Sequence, residues 1–226
     1  MISNVNYGNG DRTTILNYLK EQKTNNPNYK IIDVGGTYEG WSWPILDAIV
    51  DINECSDKNI KQFNFNICDH DSWSELLNHV EENGKFDFVI CTHTLEDLSN
   101  PLLVTQQLNK IAKSGYIAIP SKFIELSKNL KDINFEILVT NNRFRGYMHH
   151  RWIFQIESGE FVGYPKLPFL EADSFYDDIA RLDLSIRDLN FMWDGDIELK
   201  IVNNDFMGPG SSHIVQMFRD GLSKNV

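Results

Sequence analysis

The sequence predicts an α/β fold, a doubly wound and mostly parallel sheet followed by a C-terminal hairpin and helix insertion. Three observations predict it. Short β-branched apolar runs alternate with amphipathic helical stretches between Thr13 and Pro120, and the first such run breaks sharply on the pair Gly35-Gly36. Beyond Phe135 the alternation gives way to a hairpin pattern around Ser158-Gly159.

Taken in order, Thr13 to Lys23 sets Ile15, Leu16 and Leu19 on one face and stops at the polar run Thr24 to Asn28, which predicts a helix. Lys30 to Val34 reads as the first strand, Ile45 to Ile52 as the second and Phe63 to Ile67 as the third. Ser72 to Glu82 carries Trp73, Leu76, Leu77 and Val80 at helical spacing, and Phe86 to Cys91 is a buried strand. Pro101 to Ala112 makes the next helix, ended by Ser114-Gly115 before the strand Tyr116 to Pro120. Arg151 to Ile156 and Glu160 to Gly163 form the hairpin, Phe169 to Leu184 a helical insertion and Asp196 to Val202 a late strand. One domain is expected over residues 1–226, with a core at about 13–135, an insertion at about 136–195 and final strands at about 196–220.

Composition narrows the function. With 42% hydrophobic residues, 226 residues suffice for one sizeable core. The longest apolar runs are strand-length, short of the roughly 20 residues a spanning helix needs, so no membrane association is expected. Met1 to Asp11 lacks the basic-then-apolar layout of a secretion signal, which points to the cytoplasm. Cys55, Cys68 and Cys91 fit neither a disulfide framework nor a paired-cysteine zinc site. A formal charge of -11 argues against a nucleic-acid partner and for a small-molecule substrate. One basic cluster stands out, Arg143, Arg145 and Arg151 among Tyr147, His149, His150 and Trp152. It suits an anionic group on a small molecule, or else it is strand-edge solvation with one buried ion pair.

The chemistry-bearing positions begin at Ile31-Ile32-Asp33-Val34-Gly35-Gly36. This strand delivers an acid and two glycines to the carboxyl edge of the sheet, where doubly wound proteins bind ligands. Glycine lets the backbone approach a ligand and offer its amides. Asp51 closes the next strand 16 residues beyond Gly35, near the spacing at which an acid meets ribose hydroxyls. Thr92-His93 comes directly after the buried strand, which puts an imidazole at the same edge, while Glu96 and Asp97 are expected to cap the start of the next helix.

Four ordered segments, Asp33-Val34-Gly35-Gly36, Val50-Asp51-Ile52, Phe86 through Asp97 and Gly115 through Pro120, resemble successive signatures of class I S-adenosylmethionine-dependent methyltransferases, particularly the small methyltransferase-domain group. The likeness covers roughly Lys30 to Ser121 and implies a Rossmann-like sheet. It implies that Gly35, Gly36, Thr37 and Gly40 hold the methionine part of S-adenosylmethionine, that Asp33 orients this loop and that Asp51 with Ile52 binds the ribose. Asn66, Ile67 and Asp69 would approach the adenine, and Thr92 the cofactor. Two departures stand out. Asn66 sits where relatives carry an acid, and the loop Gly35-Gly36-Thr37-Tyr38-Glu39-Gly40 lacks alternating glycines and runs into Trp41 and Trp43, an aromatic wall or ordinary core filling.

The subgroup resembled also carries a His-His-Arg-Trp segment like His149-His150-Arg151-Trp152, where acceptor-binding elements are inserted. The function implied is methyl transfer to a small polar acceptor such as a carbohydrate hydroxyl. His93, His149 or His150 would serve as base and Arg143, Arg145 or Arg151 would fix an acidic acceptor. No metal is expected: His93, His149 or His150 with Asp97 offer suitable donor atoms, but nothing in the sequence fixes their geometry. The rivals are a non-catalytic cofactor-binding scaffold and, further back, a NAD-dependent dehydrogenase, whose Gly-x-Gly-x-x-Gly order is missing. The aromatic-rich stretch from Phe161 to Phe169 suits either a pocket cover or the joint of a homodimer.

Overall fold

The computed structural model describes residues 1–9, 12–54, 59–128, 144–179, 183–202 and 210–224. Ten strands and seven α-helices occur among them: β1 (Ile2–Gly8), α1 (Thr13–Asn25), β2 (Ile31–Val34), β3 (Ala48–Asp51), β4 (Lys61–Asn64), α2 (Ser74–Asn83), β5 (Phe88–Thr92), α3 (Pro101–Ile111), β6 (Ser114–Pro120), α4 (Lys122–Leu126), β7 (Trp152–Glu157), β8 (Glu160–Pro165), α5 (Phe169–Ala172), α6 (Phe175–Ile179), β9 (Asp188–Asp194), β10 (Leu199–Ile201) and α7 (Ser211–Ser223).

The main sheet has the order β1-β9-β6-β5-β2-β3-β4. Its centre, β6-β5-β2-β3-β4, is parallel throughout, and β9 and β1 are added antiparallel pairs at one side. The expected mostly parallel α/β sheet is therefore present. Alternate residues of each central strand enter opposite cores. Ile32, Val34, Val50, Val89 and Ile117 meet Trp73, Leu76, Val104 and Leu108 of the α2–α3 face. Ile31, Ile49, Phe88 and Ile90 meet Ile15 and Leu19 of α1. The helices start where local chemistry allows: Asn100 accepts the Leu103 amide (3.1 Å) ahead of Pro101, and Ser121 caps α4 by accepting from Ile124 (3.4 Å).

The hairpin forms as expected and joins β10 in a second sheet of order β10-β8-β7. One of its faces carries Phe154 and Phe161 into the main core, with Phe161 5.0 Å from the Phe191 ring of β9. The other carries Ile153, Val162 and Tyr164 against Leu170, Tyr176 and Phe218 of α5, α6 and α7. No described helix is long and apolar enough to cross a membrane.

Several elements depart from expectation. The second strand begins at Ala48, because Trp43-Pro44-Ile45 forms a 3-10 turn instead. The late strand at 199–201 belongs to the small sheet, and the strand that pairs with β6 in the main sheet is β9, where Leu189, Phe191 and Trp193 alternate inward. Residues 211–223 are helical rather than extended. The polar N-terminus supplies the edge strand β1, which is held by pairing with β9 and needs little burial.

Arg145 anchors the segment between the hairpin and α6. Its side chain is fully buried, yet its Nε donates to the Leu170 carbonyl (2.7 Å), Nη1 to Leu126 (2.8 Å), and Nη2 to the Asp173 carbonyl (2.9 Å) and the Asp177 carboxylate (2.5 Å). A buried guanidinium is tolerable only when its donors are used in this way. Arg145→Met should lower stability by about 3 kcal/mol in urea unfolding, because it leaves several interior acceptors unpaired. A change within about 0.5 kcal/mol would show that the anchor is dispensable.

Candidate cofactor cleft and histidine cluster

β2 leaves the sheet at Gly35, whose φ of +83° lies in the left-handed region that favours glycine. The Gly35 amide donates to the Val50 carbonyl (2.9 Å), which sets the bend directly beside the end of β3, where Asp51 sits. A Cβ on Gly35 would lie 2.4 Å from the Thr94 hydroxyl, and one on Gly36 would lie 2.5 Å from the Asp33 carboxyl carbon. Both positions therefore have no room for a side chain.

Asp33 is buried under this bend, 1% exposed. Ser42 Oγ donates to its Oδ2 (2.5 Å), while Oδ1 has no partner among the described residues. Burial pushes the carboxyl up to about 7, with the Asp51 charge adding to the rise and Ser42 and Arg12 opposing it. The cleft above has a volume of about 190 Å³. Of the residues expected at a cofactor site, Asp33, Gly35, Gly36, Thr37, Gly40 and Thr92 line it, and so does His93. Arg12, Trp41 and Ser42 complete its wall, with the Arg12 guanidinium 5.5 Å from the Trp41 ring centroid. Trp41 thus faces the cleft, while Trp43 packs edge-on against Tyr38 at 4.9 Å.

The residues expected near the nucleoside lie outside that cavity. Asp51 is half-buried and its Oδ1 accepts the Asn53 amide (2.6 Å), and Ile52 is 68% exposed. Asn66 accepts the Cys68 amide (3.0 Å) in a tight turn. Ile67 packs on the core and its carbonyl accepts from Trp73 Nε1 (3.0 Å). Asp69 accepts from Ser72 Oγ (2.8 Å) and the Asp71 amide (3.2 Å), which fixes the 3-10 turn Asp71–Trp73. Asn66 and Asp69 each have a structural task that the sequence did not reveal.

His93 adopts φ +50° at the end of β5, which turns its ring across the sheet edge. Nδ1 lies 3.5 Å from Glu96 Oε1 and Nε2 lies 3.4 Å from Asp188 Oδ2, with both carboxylates almost wholly buried. These are ion-pair distances, since Asp188 Oδ2 accepts no aligned hydrogen bond. Burial disfavours the charged ring, but the two carboxylates outweigh it and raise the imidazole to about 9. Both carboxylates thus favour the charged ring, which weighs against the expected role of a base. Glu96 is likewise a buried partner of this ring and not merely a helix-start charge.

His149 and His150 lie apart from the cleft lining, near Asp97. Each Nε2 is 3.8 Å from Asp97 Oδ1. His150 is buried, and its Nδ1 meets Glu125 Oε1 at 2.6 Å. Glu125 is itself buried. Burial alone would raise its carboxyl, but Lys166, whose Nζ donates to Oε2 (2.8 Å), and His150 hold it below the usual carboxylate range. Among the described residues, Arg145 and Arg151 of the expected arginine cluster serve different ends. Arg145 is committed to the fold, the Arg151 side chain is exposed while its amide donates to the Glu96 carbonyl (2.7 Å), and Arg143 lies outside the described residues.

No protein-family profile matches this chain, and no curated protein matches it either. Among solved structures, the methyltransferase domain of bacterial CtHen1 overlaps 83% of this chain and 98% of its own at 13% identity, with a TM-score of 0.43. A cyclopropane-fatty-acyl-phospholipid synthase-like protein from Lactobacillus casei overlaps 83% and 95% at 14% identity, with a TM-score of 0.36. A Bacillus halodurans protein assigned as a methyltransferase is 14% identical over 48% of this chain, with a TM-score of 0.32, and this chain spans about half of its length, 52%. At such identities and TM-scores nothing about chemistry transfers, and the fold class stands on this chain's own strand order and pairing.

The clamp on His93 sets a pH dependence. Because its folded-state value is raised from 6.5 to about 9, the ring contributes stability that is complete below about pH 6.5 and lost as pH rises through 9. NMR titration of the ring should show this high midpoint. His93→Asn, which tolerates the positive φ, should lack the corresponding slope of stability against pH. A ring titrating near 6.5 would show that the two carboxylates do not hold a charge.

Proposed function

We propose that the protein binds S-adenosylmethionine in the Gly35 cleft and transfers its methyl group to a small polar acceptor. The observation that carries this reading is the buried Asp33 carboxyl, one oxygen of which lacks a partner among the described residues, on the wall of a cleft that two side-chain-intolerant glycines also line and that lies beside the strand-end Asp51. The donor set fits the charges of that cofactor. Asp33 suits an ammonium, Arg12 at the cleft wall suits a carboxylate, and Asp51 at the end of β3 suits vicinal ribose hydroxyls.

When bound, the sulfonium supplies the activated methyl group, so the chain has to align the acceptor and exclude water. His93, on the cleft wall with its positive charge fixed between Glu96 and Asp188, would donate to an acceptor oxygen or orient it rather than remove its proton. A hydroxyl of a carbohydrate or similar metabolite is the acceptor class this favours, with its proton released to bulk solvent. Arg145 has no part in this reading.

Calorimetric titration should show binding of S-adenosylmethionine and S-adenosylhomocysteine and none of NAD. Gly36→Val should abolish both while the far-UV circular dichroism is retained, because its side chain would occupy the space against Asp33. Arg12→Ala should weaken both ligands about tenfold, the usual loss of a charge-assisted contact. Absence of any heat with either sulfur nucleoside, or selective binding of NAD, would overturn the assignment.

A further inference from the structure

Outside the cleft, one cluster brings together side chains of the kind that bind transition metals. One donor atom from each of His149, His150 and Asp97 lies within 4.8 Å of the other two, and both histidine Nε2 atoms are 3.8 Å from Asp97 Oδ1. The three residues come from two distant segments, the 3-10 turn Leu95–Asp97 after β5 and the stretch just before β7, which are pinned together by the Arg151 amide on the Glu96 carbonyl. The position of the cluster is thus a property of the fold and not of adjacent residues in the chain.

We propose that Asp97, His149 and His150 form a binding site for a divalent first-row transition-metal ion. Two imidazoles and one carboxylate suit zinc, manganese, iron, cobalt or nickel better than magnesium or calcium, which prefer oxygen donors throughout. A second observation supports it independently. His150 is 6% exposed in its side chain, and its other nitrogen, Nδ1, is held by the buried Glu125 at 2.6 Å. Glu125 is in turn fixed by Lys166 Nζ, which also donates to the carbonyls of Arg145 and Tyr147 (both 2.7 Å). This carboxylate–histidine pairing is the arrangement that sets the ring of a metal-bound histidine and leaves Nε2 as the coordinating nitrogen.

The geometry is near that of a loaded site. Ligand bonds of about 2.0–2.1 Å at tetrahedral angles place donor atoms roughly 3.3 Å apart. The two Asp97 contacts are 3.8 Å and the three donor atoms all lie within 4.8 Å of one another, so closure of about half an ångström toward Asp97 and at most about 1.5 Å between the histidines is needed. Asp97 and His149, 43% and 52% exposed in their side chains, can make that adjustment while His150 stays in place. Three protein ligands leave at least one position for water or a substrate oxygen. That this oxygen belongs to the methyl acceptor rests on the reading above, since Asp97 adjoins Glu96 and Glu96 contacts His93 of the cleft. The metal site itself does not depend on that reading.

The test uses the untagged full chain with Co²⁺ followed by ligand-field absorption and Zn²⁺ followed by calorimetry, without any nucleoside present. One equivalent of each ion should bind. His149→Ala and Asp97→Ala, both at exposed side chains that leave the Glu125–Lys166 pair intact, should each lower affinity at least tenfold and together abolish the absorption. Uptake that is absent in the unsubstituted chain, or equal in the double variant, would overturn the proposal. Either result is independent of whether S-adenosylhomocysteine binds, so failure of the metal site and failure of the methyl-transfer reading are separable.

Discussion

Burial of the central strands on both faces governs where polar chemistry can appear in this molecule. β2, β3, β5 and β6 are sealed between α1 on one side and α2 and α3 on the other, so polar groups can emerge only where a strand ends. Asp33 is the exception inside a strand. It is tolerated because Ser42 satisfies one oxygen and because burial favours the neutral carboxyl, and the residue lines the cleft at the bend of Gly35 and Gly36. The other residues that carry the proposed chemistry, Arg12 at the start of α1 apart, occupy strand ends or the turns beside them.

The same constraint explains how an acidic protein spends its carboxylates. Glu96, Glu125 and Asp188 are each almost fully buried, and each faces a histidine or a lysine. Burial of a carboxylate is costly unless a cation or donor meets it, so these groups organise the sheet edge into two linked polar clusters. One holds His93 as a cation beside the cleft, and the other orients His150 toward Asp97. The Arg151 amide on the Glu96 carbonyl joins the strand that bears the second cluster to the turn that bears the first.

The small sheet plays a structural part in this arrangement. Its inner aromatic residues, Phe154 and Phe161, pack on the main core, while its outer face is covered by α5, α6 and α7. Arg145 and Lys166 tie the entry of this unit to α4 through backbone carbonyls and Glu125. The histidine pair therefore sits on a braced strand entry, and its geometry is rigid where it meets Glu125 and adjustable where it meets solvent.

The sequence by itself determined the alternation of strands and helices from Thr13 to Pro120, the hairpin at Ser158-Gly159 and the position of the glycine bend next to Asp51, because period and glycine punctuation are local properties of the chain. It did not disclose β1, whose mostly polar residues are held chiefly by pairing with β9, nor the structural tasks of Asn66 and Asp69, nor which arginine of the cluster makes the buried ion pair. It also named the donors of the His149–His150–Asp97 cluster without their arrangement. Only the tertiary structure decided the charge on His93, the tautomeric partner of His150 and the convergence of Asp97 with the histidine pair. Each of these depends on groups at least 25 residues apart in sequence, Asp188 for His93, Glu125 for His150 and the β7 entry for Asp97, and no local pattern encodes such distances.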